Sequence, residues 1–231
     1  GLIQYTQTSS EAVYGQIDYN LHRILDGLSF EGGLRYTRDH ANSQNAEYQS
    51  FDGLDLNAIP LHGQCLPADA NGGVPGYPLA IGNPFCEHLS TTSDALTYNV
   101  GLNYKFDSQT LVYAKVSRGY RPGGFNSTAG GNGQFDFKPE YDESVEVGLK
   151  ADYDIGPIAA RTDLAMFHDD YTDIQKTVIT VNAQNLSVLS ITNAAAATIQ
   201  GLELEQTFIP FEGLNVKAGW GYTDAHFKNN L

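Results

Sequence analysis

The chain has 231 residues, enough to bury a sizeable core, and carries 13 Lys and Arg against 27 Asp and Glu, a net charge of -14. That balance argues against a nucleic-acid partner, whose phosphates require basic patches. Only 17% of residues are charged, and 14 Tyr and 24 Gly accompany a single Met, a mixture that suits many strands joined by turns. No run approaches the roughly 20 apolar residues that a spanning helix needs, and the mean hydropathy is -0.31. Neither fact bears on a membrane barrel, whose strands are about ten residues long with only every second one apolar. The chain opens at Gly1 with no basic-then-apolar leader, which reads as the middle of something longer. Cys65 and Cys86 lie close together in a Pro/Gly-rich segment; this fits a disulfide closing a loop in an oxidising compartment better than a metal site, with two free thiols as the alternative.

In chain order, Val13, Ile17, Tyr19 and Leu21 share one parity while Tyr14, Gln16, Asp18 and Asn20 share the other, which predicts a two-faced strand. After Asp26-Gly27 the pattern returns with Leu28, Phe30, Leu34 and Tyr36 opposite Ser29, Glu31, Arg35 and Thr37, completing a hairpin. Residues 38–93 are irregular, polar and proline-rich, and predict a long loop. Alternation is cleanest from Leu96 through Tyr98, Val100, Leu102 and Tyr104 to Phe106. A tight turn at residues 107–109 leads to a strand over 110–119, with Val112, Ala114 and Val116 on one face and Tyr113, Lys115 and Ser117 on the other. A second loop covers residues 120–139. Val145, Val147, Leu149, Ala151 and Tyr153 form the next apolar face, closed by a turn at 154–157. Ala160, Thr162, Leu164 and Met166 follow, in a strand that continues towards Val181. A medium loop over 182–189 precedes a strand at 197–208, a turn at 210–213 and a last strand with Val216, Ala218, Trp220 and Tyr222 on one face.

These about eight strands are joined by connections that alternate strictly between short and long. A soluble sandwich has no reason to gather its long loops at one end. Outer-membrane barrels do, with short periplasmic turns, long extracellular loops, an apolar outer face and a polar lumen. Phe30, Tyr36, Tyr98, Phe106, Tyr153 and Phe208 fall near the ends of apolar faces, as interfacial girdles require; the alternative is a soluble β-domain with core aromatics.

Residues 113–126 read Tyr-Ala-Lys-Val-Ser-Arg-Gly-Tyr-Arg-Pro-Gly-Gly-Phe-Asn. The stretch resembles the strand with which TonB-dependent outer-membrane receptors enter an extracellular loop. Residues 138–150 (Lys-Pro-Glu-Tyr-Asp-Glu-Ser-Val-Glu-Val-Gly-Leu-Lys), 166–175 (Met-Phe-His-Asp-Asp-Tyr-Thr-Asp-Ile-Gln), and Asn193-Ala194 through 199–205 (Ile-Gln-Gly-Leu-Glu-Leu-Glu) resemble the family's next three strands, in order. The resemblance implies an all-β, antiparallel transmembrane barrel, present in part. The family pattern has an N-terminal plug domain inside a barrel of roughly 22 strands that ends in an aromatic residue. Residues 1–231 therefore read as a barrel piece without plug or C-terminal strands, with 38–93 and 120–139 as extracellular loops.

The same resemblance implies energy-coupled uptake of a ferric siderophore or similar scarce ligand across the outer membrane of a Gram-negative bacterium. Its partners would be the receptor's own plug, TonB with its inner-membrane energising complex, outer-membrane lipid and the ligand. A carbohydrate or cobalamin importer of the same family, or a small eight-stranded structural or adhesion barrel, are the alternatives. Candidate ligand contacts are Tyr120, Arg121 and Phe125, because cations suit an anionic ferric chelate and aromatics suit stacking; the competing reading is that 118–126 only shapes the loop. Arg35, Lys105, Glu146, Lys150, Arg161, Asp163, Glu203 and Glu205 share the polar face and are expected to line a wet lumen against the plug. No catalytic motif is present and no cofactor is expected. The acidic runs at 140–143 and 169–173 read as solvated rim carboxylates rather than a metal site.

Overall fold

The computed structural model describes residues 2–47, 85–126, 136–181 and 187–228. Eight long strands form one antiparallel sheet: β1 (Leu2–Asn20), β2 (Leu28–Glu47), β3 (Phe85–Lys105), β4 (Thr110–Arg121), β7 (Glu140–Ile155), β8 (Ile158–Val181), β9 (Ser187–Phe211) and β10 (Leu214–Phe227). Between β4 and β7, the short strands β5 (Gly124–Phe125) and β6 (Asp136–Phe137) pair as a separate hairpin. Every long strand pairs with its neighbour in sequence, so the order is a simple meander. Among the described residues β1 and β10 do not pair, leaving an open, partial barrel rather than a closed eight-stranded one. No helix of the described residues is long and apolar enough to cross a membrane.

The short connections, residues 21–27, 106–109, 156–157 and 212–213, all lie at one end of the sheet. Gly27 has φ of +81°, and an added Cβ would lie 2.2 Å from the Lys105 carbonyl oxygen, so only glycine fits there. The Lys105 amide donates to the Gly27 carbonyl at 2.8 Å, tying that turn to the next strand. Asp107 closes the following turn by accepting from the Gln109 and Thr110 amides at 2.8 and 2.7 Å.

On β4 and β7 burial is inverted relative to a soluble protein, whereas on β9 the inner-face Glu203 and Glu205 are exposed and the outer-face Leu202 and Leu204 half-buried. The buried apolar side chains among the described residues are Ala41, Ala95, Ala160 and Ala197, with no large one. On β4 and β7 it is Val112, Val116, Val145 and Val147 that are 40–48% exposed. Their polar neighbours Lys115 and Glu146 have side chains only 32% and 26% exposed. A cavity lined by Tyr113, Lys150, Asp163, Glu203 and Glu205 marks the polar face as the inner, concave one, so the apolar face is the outer one, an arrangement that water penalises and hydrocarbon rewards.

Along the hydrogen-bonding direction the outer-face row runs Ile17, Gly32, Val100, Val116, Val145, His168, Gln200, Asp224. One row leaves the apolar band and ends among polar groups because barrel strands tilt relative to the membrane normal.

The strands run further than the alternation does. Of the loop expected over 38–93, residues 38–47 and 85–93 are strand; of that expected over 120–139, residues 120–121 finish β4 and 140 begins β7. β1 starts at Leu2, well before Val13, and β9 starts at Ser187 rather than near 197. About nine to eleven residues cross a membrane, whereas β8 and β9 have 24 and 25. Above the membrane both faces are wet, so no apolar parity marks those extensions. Cys65 and the side chain of Cys86 lie outside the described residues, as does the proposed disulfide between them.

Candidate functional site

The end of the sheet opposite the tight turns forms a rim where β4 gives way to Pro122, which cannot donate to a ladder. Parity splits the candidate ligand residues there. Tyr120 lies directly opposite Tyr141 on β7, on the same outer face as Val116 and Val145. The two rings stack at 6.3 Å, and the Arg118 guanidinium sits 4.5 Å from the Tyr141 ring centre and 3.6 Å from Glu143. The Tyr120 hydroxyl donates to the Asp39 carboxylate of β2. By parity Tyr120 joins an outer-rim stack with Tyr141, but its hydroxyl ends on Asp39, which has the inner-face parity of Arg35 and Thr37. Arg121 has the opposite parity, pairs with Glu140 in register and is exposed. Phe125 is half-buried in β5. Arg121 and Phe125 lie in one rim segment directly after Tyr120.

The eight residues expected in the lumen all fall on the inner face by register. Glu146 accepts from the Tyr113 hydroxyl at 2.8 Å and lies 3.5 Å from Lys115 Nζ. Lys150 stands 5.8 Å from the Tyr113 ring centre. Arg161 pairs with Asp163 at 2.9 Å and with Asp152 at 3.5 Å, and Glu205 pairs with Lys217 at 3.2 Å. Arg35 donates from Nε to the Thr37 hydroxyl at 3.0 Å. Lys105 is exposed beside the Gly27 turn. Glu203 stands between Ala165 and Gly221 with no ion pair among the described residues. Aromatic rings occupy the space beside inner-face glycines: a Cβ on Gly148 would meet the Tyr113 ring at 2.4 Å, and one on Gly201 the Phe167 ring at 2.7 Å.

At the rim, burial and the neighbouring Asp169 push the Asp142 carboxyl above the ordinary carboxylate range. Across the outer rim, hydrogen bonds from Lys228 at 2.7 Å and from the Thr198 hydroxyl at 3.0 Å hold the Asp170 carboxyl low. Among the described residues, no group of three His, Cys, Asp or Glu side chains is placed to hold a metal ion.

Sequence reasoning missed a set of carboxamides at this rim. Gln175 on β8 and Asn193 on β9 are register partners and both reach Lys138, the residue after β6. Asn126, which follows β5, bonds the backbone of Ile191. The signal was present in that Asn126, Lys138, Gln175 and Asn193 all belong to the four family-like stretches, but nothing in the chain says that those stretches touch.

The fold is matched by known proteins. The family profile described as TonB dependent receptor-like, beta-barrel, matches residues 2–230. The pesticin receptor of Yersinia pestis is 26% identical over 204 residues, covering 87% of this chain and 24% of the relative. The crystal structure of the ferric yersiniabactin uptake receptor from Yersinia pestis superposes with a TM-score of 0.68 at 19% identity, covering 99% of this chain and 28% of that one. The ferric-catecholate import receptor from E. coli K12, in its closed form, gives 0.65 at 18% identity, covering 98% and 29%. The chain spans about a quarter of the length of the curated relatives it matches. With its profile matched almost from end to end, the chain belongs to the TonB-dependent receptor β-barrel family.

Proposed function

We propose that the chain is the wall and rim of a receptor that imports a ferric siderophore, or a similar scarce chelate, with energy delivered through TonB. Its place is the outer membrane of a Gram-negative bacterium. The observation that carries the reading is the pairing of an apolar outer face with a charged inner face in a chain whose relatives are named as receptors for pesticin and for ferric siderophores. In this reading the inner-face ion pairs, from Lys115–Glu146 to Lys217–Glu205, hold water and present charge to a plug domain, and Glu203 is free to meet a cation from it. The chain performs no chemistry on its cargo; it encloses and delivers it.

Arg121, exposed on the inner-face side of the rim, is the cation best placed to attract an anionic chelate. Uptake of a radiolabelled ferric siderophore by cells carrying the full receptor tests both parts. Uptake should require TonB and an energised inner membrane, and Arg121→Ala should weaken ligand affinity by about tenfold or more, the range of a charge-assisted hydrogen bond. Uptake that persists without TonB contradicts the transport mechanism. Unchanged affinity at normal membrane levels removes Arg121 from the site.

A further inference from the structure

Two backbone positions at the rim are each satisfied, donor and acceptor together, by a single carboxamide. Ile191 of β9 donates its amide to Asn126 Oδ1 at 2.6 Å, and its carbonyl accepts from Asn126 Nδ2 at 2.8 Å. Lys138 donates its amide to Asn193 Oδ1 at 2.6 Å, and its carbonyl accepts from Asn193 Nδ2 at 2.9 Å. The exchange is reciprocal: the β5–β6 segment gives Asn126 to β9, and β9, two residues beyond Ile191, gives Asn193 back. Gln175 adds bonds from Nε2 to the Pro122 carbonyl at 2.9 Å and the Lys138 carbonyl at 3.0 Å. Asn193 also bonds the carbonyl of Asp173, which sits at a strand irregularity with φ of 54°. β10 stops opposite Ala197, so the edge of β9 around Ile191 is left for Asn126 to cover. The Gln175 amide donates to Glu140 at 2.9 Å and the Gly123 amide to the Ser93 hydroxyl at 3.2 Å; Glu140 and Ser93 have inner-face parity on β7 and β3, which places the segment on the inner face.

We propose that Asn126, Gln175 and Asn193 are positioning residues. Their reciprocal carboxamide–peptide pairs lock residues 122–126 and 136–139 onto the inner face of the β8–β9 pair, so that Arg121 and Phe125 are presented to the barrel mouth by rigid strands. The presentation to a mouth rests on the import reading; the lock itself does not. Carboxamides carry no charge, so the lock holds across pH and salt, and each pair closes only if the other holds the segment in register.

Hydrogen exchange of the full receptor in detergent micelles tests this without any ligand. In the wild type the Lys138 and Ile191 amides should both exchange at least about tenfold more slowly than free peptide amides. Asn193→Ala should speed exchange at Lys138 about tenfold and also at Ile191, which Asn193 does not touch, while Val147 and Leu164 stay unchanged. Asn126→Ala should produce the mirror-image result. Nitroxides at positions 125 and 199 should give one narrow distance in the wild type and a broad distribution in Asn193→Ala. Fast exchange at either amide in the wild type overturns the proposal even if no variant assembles. So does protection at Ile191 that survives Asn193→Ala, since the two contacts would then be independent. Failure of TonB-dependent uptake would leave these exchange rates standing, so the import reading and the lock fail separately.

Discussion

Gly201 and Gly219 are both inner-face glycines of neighbouring strands, yet their surroundings differ. A Cβ on Gly201 would lie 2.4 Å from the Tyr222 carbonyl oxygen and 2.7 Å from the Phe167 ring, whereas at Gly219 the nearest atom is the Leu204 carbonyl oxygen at 4.0 Å. The ring can give way but the backbone cannot, so Gly201→Ala forces strands β9 and β10 apart. It should cost about 1–3 kcal/mol, the range of overpacking, and Gly219→Ala should stay within about 0.5 kcal/mol. Equilibrium unfolding of the full receptor in urea, followed by gel mobility, checks the pair; equal costs at the two positions contradict the packing described here.

At the scale of the strand, parity is what makes a residue tolerant or not. Val147 stands on the outer face opposite Ala114 and Met166, and Ser144 on the inner face opposite Ser117 and Asp169. Val147→Arg puts a cation into hydrocarbon and should cost about 2–4 kcal/mol if it lies near the midplane. Ser144→Arg, facing water and a carboxylate, should change stability by less than about 0.5 kcal/mol. A near-neutral Val147→Arg, measured by the same unfolding assay, would mean that this face meets water. The same parity explains what could be read from the chain. Strand cores such as 96–106 and 145–153 were legible because hydrocarbon on one side and water on the other demand alternation. The upper halves of β2, β3, β8 and β9 were not, since above the membrane both faces meet water and nothing demands alternation. At the rim, Arg121 and Phe125 could be picked out by residue type. Tyr120 has the parity opposite to that of Arg121, and the contacts of Asn126 with Ile191 and of Asn193 with Lys138 stayed hidden because they join residues 65 and 55 positions apart.

Among the described residues the sheet has two unpaired long edges, β1 and β10, with apolar side chains such as Ile17 and Trp220 exposed. Such edges template aggregation unless strands continue the sheet on both sides. The chain spans about a quarter of the curated relatives' length. The inversion of burial is the property on which everything above depends, because it separates a membrane wall from a soluble sheet built of the same strands. Lipid quenching reads it directly. Single cysteines at positions 112 through 117 of the full receptor, labelled with bimane and reconstituted into vesicles containing doxyl-labelled lipid, should alternate: strong quenching at 112, 114 and 116, little at 113, 115 and 117. Equal quenching along β4, or alternation in the opposite phase, would contradict the account.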